Sequence, residues 1–159
     1  MSFINIWKEV FTKFKCKKIK AKDLNLRNKA PKELRKSLKL RCIDAWDDEW
    51  IMAELYSLEW PYYSLESYNI SFTASPKHAD WLFIVWAVSK NMEKAVKDAF
   101  EAVAEPKVVI ACWDKAINWD KRFIWISWSV EKILWKVDLE IPWNPSSKDI
   151  FDYLVNFIK

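Results

Sequence analysis

The side chains that could do chemistry in this chain are few and scattered. Its three cysteines, Cys16, Cys42 and Cys112, are widely spaced and odd in number. That pattern argues against a disulfide framework and for a reducing cytoplasm. No CxxC pair and no Cys/His pair has metal-ligand spacing, so a zinc site has no support. His78 is the single histidine. At a loop-to-strand turn it reads as a structural hydrogen-bonder first and a partner contact second. The acidic run Asp47-Asp48-Glu49 reads as a solvated loop, with a cation or partner contact as the functional alternative. A phosphate-binding loop after the first strand would need converging backbone N–H groups and a helix N-terminus. The stretch Asp44-Ala45-Trp46-Asp47-Asp48-Glu49 would repel phosphate instead.

The backbone that must position these groups has an unusual composition. The 159 residues include no glycine and 12 tryptophans. Glycine normally supplies the turns that need a positive φ. Here tryptophan stands at turn-like places, in Ala45-Trp46-Asp47, Glu59-Trp60-Pro61, Cys112-Trp113-Asp114, Asn118-Trp119-Asp120 and Pro142-Trp143-Asn144. Asp, Asn and Pro are the usual companions of glycine in turns. The expectation is that some or all of the tryptophans occupy glycine positions, through engineering, a recoded codon or an error in the sequence. Several of Trp46, Trp60, Trp113, Trp119 and Trp143 should then show positive φ, rings thrust into solvent, or crowding. A genuinely tryptophan-rich protein would show ordinary φ values and rings packed in the core.

The periodicity alternates between strand and helix from Ser37 onward. Leu38–Ile43, Asn69–Thr73, Trp81–Val88, Lys107–Cys112 and Asp138–Ile141 read as strands. Trp50–Leu58, Asn91–Ala104 and Ser147–Ile158 read as helices, the last capped by Ser146 or Ser147. In Asn91–Ala104 the inward residues are Met92, Ala95, Val96, Ala99 and Phe100. Alternation of this kind predicts a doubly wound α/β domain with a mostly parallel sheet. The central strands should be buried on both faces. Functional crevices in such sheets lie beyond the carboxyl ends of the strands. Three loops leave those ends, at residues 44–50, 113–120 and 142–147.

Charge divides the chain. Residues 1–41 carry 14 Lys or Arg against three acids, and the remainder carries 12 bases against 19 acids. Phe3, Trp7, Val10, Phe11 and Phe14 fall at helical spacing with lysines between them. Such a basic amphipathic arm suits an anionic membrane surface or a membrane subunit, or a helix packed on its own domain. Residues 1–36 thus read as arm and linker, and 37–159 as the α/β domain. No apolar run is long enough to cross a membrane. The lysines interrupt any secretory signal. The lysines and tryptophans do not coincide, so no nucleic-acid stacking groove is implied.

The strand-end loops and their flanks carry a resemblance. Pro61-Tyr62-Tyr63-Ser64-Leu65-Glu66 and Ser75-Pro76-Lys77-His78-Ala79-Asp80 are similar to a "P-Y-D-x-E-R … S-P-R-H-A-D" signature. Glu105-Pro106-Lys107-Val108-Val109-Ile110-Ala111-Cys112-Trp113-Asp114 is similar to "E-P-K-x-V-I-A-x-G-D", and Ile141-Pro142-Trp143-Asn144-Pro145 to "V-P-G-C-P". From about Ser37 to Phe151 the chain resembles the small, about 20-kDa subunit family shared by respiratory complex I and group 4 nickel–iron hydrogenases. Leu82-Phe83-Ile84-Val85-Trp86-Ala87-Val88-Ser89-Lys90-Asn91-Met92 is similar to the family's "L-L-V-T-G-P-V-T-x-x-M", and in these segments Trp86, Trp113 and Trp143 fall on family glycines. The resemblance implies a flavodoxin-like fold, a large catalytic-type subunit and membrane subunits as partners, and a cytoplasmic location peripheral to the membrane.

It also implies a [4Fe–4S] cluster held by four cysteines, and here this chain departs. The four matching positions are Asp48, Ile51, Lys115 and Asn144, and none is a thiolate donor. The expectation is a chain without cofactor or metal and without catalytic residues of its own. Its role is then structural or regulatory within an oxidoreductase assembly. Glu54, which follows the family's cysteine pair, His78, and Phe3, Trp7 and Phe11 are its candidate partner contacts. Two alternatives stand beside this one. The first is an electron-transfer subunit whose cluster has atypical ligands, and the second is a stand-alone flavodoxin-like binding module.

Overall fold

The computed structural model describes Leu24, Leu26 and residues 29–46, 49–118, 125–142 and 144–159. Most of the arm, with Phe3, Trp7 and Phe11, lies outside the described residues, as do Asp48, Trp119 and Trp143.

The elements follow in the order β1 (Leu38–Asp44), α1 (Glu49–Ser57), β2 (Ile70–Phe72), β3 (Trp81–Val85), β4 (Val88–Ser89) and α2 (Glu93–Ala102). Then come β5 (Val108–Cys112), α3 (Asp114–Ile117), β6 (Ile126–Trp128), α4 (Val130–Leu134), β7 (Leu139–Ile141) and α5 (Ser147–Ile158). Five strands form one sheet in the order β2-β1-β3-β5-β7, and every neighbouring pair is parallel. With β4 and β6 set aside, that is the flavodoxin-like doubly wound order, whose topological switch lies between β1 and β3.

Apolar runs place the central strands. Every residue of β3 and of β5 is buried, as expected where helices cover both faces of a parallel sheet. On one face Ile51 and Leu55 of α1 and Ile150, Phe151, Leu154 and Val155 of α5 pack against Leu40, Phe83, Val85 and Ile110. On the other face Val96 of α2, Ala116 of α3 and Val130 and Ile133 of α4 pack against Ile43, Leu82, Ile84 and Val109. Helix α5 starts with a capping box. Asp149 N–H donates to Ser146 Oγ at 3.3 Å, and Ser146 N–H donates to Asp149 Oδ2 at 3.0 Å.

Several expectations need correction. The apolar run Trp81–Val88 is not one strand. It breaks at Trp86, whose φ of 70° turns the chain out of the sheet. Val88–Ser89 then pairs antiparallel with β6, a strand too short to announce itself in the sequence. Strand β1 is not buried on both faces, because Lys39 is exposed and Arg41 and Cys42 are only half-buried. Helix α2 begins at Glu93 and turns Ala95 to solvent, leaving Val96 as its buried anchor.

Candidate functional site: the cleft at the strand ends

The carboxyl ends of the sheet strands are stitched together by backbone bonds just past the strands. Ala45 N–H donates to Val85 O at 3.2 Å, Trp86 N–H to Cys112 O at 3.2 Å, and Trp113 N–H to Ile141 O at 2.8 Å. Residues 45, 86 and 113 therefore form a floor at this pole, where doubly wound sheets place their ligand crevice. Two of the three are tryptophans, and their rings lie on each other, with centroids 3.2 Å apart and planes tilted by 32°. Both pack against the core cluster that contains Ile51, Val85, Cys112 and Ile141. Trp86 Nε1 is buried and, among the described residues, has no hydrogen-bond partner.

The backbone beneath the rings is unusual. Trp113 has φ 84° and ψ 150°, in a region populated essentially by glycine alone. Trp86 has φ 70°. Trp135, just past α4, sits at φ 55° and ψ 20° in the left-handed position where a helix usually ends on glycine, and the residue is 89% exposed. Trp46 and Trp60, two of the turn tryptophans, keep ordinary φ but are 37% and 70% exposed.

The predicted site residues distribute unevenly around this floor. Ile51 lies on α1, after β1, and is fully buried. Lys115 lies on α3, after β5, and is half-buried, while Asn144 is exposed in the segment after β7. All three stand on segments leaving the carboxyl ends. Glu54 is half-buried on α1. Its carboxylate accepts from the Ser147 backbone N–H at 2.7 Å and from the Ser147 hydroxyl, and so ties α1 to the start of α5. Ser57 Oγ completes the brace, 2.7 Å from Ser147 Oγ. His78 belongs to the turn Pro76–His78, which precedes β3. It is exposed at the amino pole, so the fold does not bring it to the cleft.

The donor set does not fit an iron–sulfur cluster. Ile51 offers only hydrocarbon and is packed into the core. Lys115 brings an ammonium group and Asn144 a neutral amide, where cluster iron needs thiolates. Cys42 and Cys112 sit within β1 and β5, not in the loops. Among the described residues no group of three or more His, Cys, Asp or Glu side chains is placed to hold a metal ion. Burial pushes the Cys42 thiol up to about 12, against a smaller opposing pull from Arg41.

The relatives of this chain agree with the geometry at the level of the fold. No protein-family model matches it. A 49-residue stretch is 41% identical to the B subunit of NADH-quinone oxidoreductase from Geotalea daltonii, covering 31% of this chain and 29% of that protein. The corresponding protein of Citrifermentans bemidjiense is 39% identical over 49 residues, again 31% of this chain and 29% of that protein. The uncharacterized protein MJ1363 of Methanocaldococcus jannaschii is 35% identical over 51 residues, 32% of this chain and 34% of that protein. The matched stretch thus spans about a third of each curated relative. Among solved structures, a chain of the membrane-bound sulfane sulfur reductase, an archaeal respiratory membrane complex, superposes with a TM-score of 0.64. It is 22% identical, over 79% of this chain and 72% of that one, so the likeness establishes a shared fold. Among the described residues no helix is long and apolar enough to cross a membrane.

Proposed function

We propose that this chain is a non-redox structural or regulatory subunit of a membrane-associated oxidoreductase assembly of the complex I or group 4 hydrogenase kind. The observation that carries this reading is a mismatch. The fold and a 49-residue stretch follow proteins of respiratory complexes. Yet the positions where the resemblance calls for cluster ligands hold Ile51, Lys115 and Asn144. A buried isoleucine turns a ligand position into a packing contact, and the Glu54–Ser147 brace holds α1 against α5 without a metal. What is left is a rigid parallel-sheet body that docks between a large catalytic-type subunit and membrane subunits and is not catalytic alone. The basic amphipathic arm, residues 1–36, supplies a second contact to an anionic membrane surface or a membrane subunit.

Anaerobic reconstitution with iron and sulfide, followed by electron paramagnetic resonance, tests the non-redox role. The expected outcome is no stoichiometric [4Fe–4S] signal in either oxidation state. A signal at one cluster per chain that disappears in Asp48→Ala would establish the electron-carrier alternative instead.

A further inference from the structure

We infer that positions 86, 113 and 135 are glycine positions of this backbone occupied by tryptophan, and that the Trp86–Trp113 pair is a plug which glycine at both positions removes, opening the cleft at the carboxyl ends of β3 and β5. The inference rests on backbone geometry and holds whichever assembly the chain joins.

Three independent features converge on it. The first is conformation. A Cβ atom is crowded by the backbone at φ 84° and ψ 150°, the values of Trp113, and glycine alone escapes that crowding. Trp86 and Trp135, at 70° and 55°, occupy the left-handed side where a bulky residue is a genuine outlier. The second is ring packing. Favourable aromatic pairs keep their centroids about 4.5–7 Å apart. The Trp86 and Trp113 centroids lie 3.2 Å apart, so the two indoles compete for one space. Their neighbours do not compensate, because the indole nitrogen of Trp86 is buried without a partner among the described residues. The third is redundancy of the ring at position 135. With the residue 89% exposed, Trp135 packs on almost nothing, while its backbone ends α4 in the way a glycine would.

The location gives the inference its functional weight. The two rings stand on the floor stitched by the Trp86-to-Cys112 and Trp113-to-Ile141 bonds, at the pole where ligands of doubly wound sheets bind. A chain with glycine at both places has the same floor and an open cleft above it. Cys112, fully buried in the core cluster that the two indoles cover, reports on that opening.

The test compares glycine with alanine, since both remove the ring and only glycine accepts the backbone. The variants are Trp113→Gly, Trp113→Ala, Trp135→Gly, Trp135→Ala and the double variant Trp86→Gly/Trp113→Gly. Each is checked for native circular dichroism, melted, and labelled with N-ethylmaleimide, with the modified cysteine located by peptide mapping. Trp113→Gly and Trp135→Gly should each melt at least about 3 °C above the alanine variant at the same position. The double variant should melt above the parent and be labelled at Cys112, where the parent is protected. Glycine variants that melt no higher than the alanine ones would overturn the assignment of glycine positions. A double variant that is more stable yet still protected at Cys112 would overturn the plug.

Discussion

At the scale of single residues, burial decides what the chemically able side chains can do. Cys42 is one case: the residue as a whole is half-buried, yet its thiol is shielded from water. Its thiol is pushed up to about 12 because the surroundings disfavour the thiolate. The unfolded chain would ionise this thiol near its ordinary value of about 8.5. The native state thus binds the extra proton between those two values. The contribution of Cys42 to stability is complete below the ordinary value and is lost as pH rises through 12. Alkylation of folded protein, followed by peptide mapping, should leave Cys42 almost unmodified at pH 8, while urea-unfolded protein reacts fully. Ile51 makes the complementary case. It is fully buried beside Leu55 and Phe151, so Ile51→Ala should cost about 2–5 kcal/mol in urea unfolding. A loss below about 1 kcal/mol would mean that position 51 is not a packing site. The sequence identified Ile51 as unable to bind iron, since that follows from the residue type. It did not reveal that Glu54 braces α5, because that contact joins residues 93 positions apart.

At the scale of elements, the legible parts were those with long periodicity. The closing helix was readable to its ends because Ser146 and Asp149 form a capping box and Ile150, Phe151, Leu154 and Val155 recur at helical spacing. Ser146→Ala should therefore destabilise the protein by about 1 kcal/mol, measurable as a lower urea midpoint with an unchanged slope. The end of β3 was not readable. Trp81–Val88 is apolar throughout, and the usual mark of a chain reversal, a glycine, is a tryptophan at position 86. The three residues of β6 and the five of α4 are too short for periodicity to register. The β4–β6 pair is held to α2 through Glu93, whose carboxylate bonds Lys97 and Ser127 and is lowered below its ordinary range first by Lys97 and then by Ser127. A lowered carboxyl stabilises the fold above its ordinary value and ceases to do so as pH falls through the lowered one. Glu93→Gln should thus cost about 0.5 kcal/mol at pH 7 and progressively less as pH falls below the ordinary carboxylate range, the small size reflecting solvent screening of a partly exposed pair.

At the scale of the whole molecule, charge and topology separate two ends. The first 41 residues hold 14 bases, whereas from Asp44 to Pro76 there are seven acids and no Lys or Arg. If the arm meets an anionic surface, deletion of residues 1–23 should abolish sedimentation with anionic liposomes, and added salt should weaken the full chain's binding steeply. Partition that survives deletion would place the contact elsewhere. The fold also shows where the chain joins the body. Leu24 N–H bonds Asn156 Oδ1 at 3.1 Å and Ala30 N–H bonds Phe157 O at 2.8 Å, in the last turn of α5. That turn lies at the amino pole of the sheet, while Trp86 and Trp113 cap the carboxyl pole, a strand length of about 17 Å away. An occupant at either pole leaves the other sterically clear. If the arm and the carboxyl pole each hold a partner, as proposed, the two do not compete for one surface, and one molecule can then bridge two bodies that never touch.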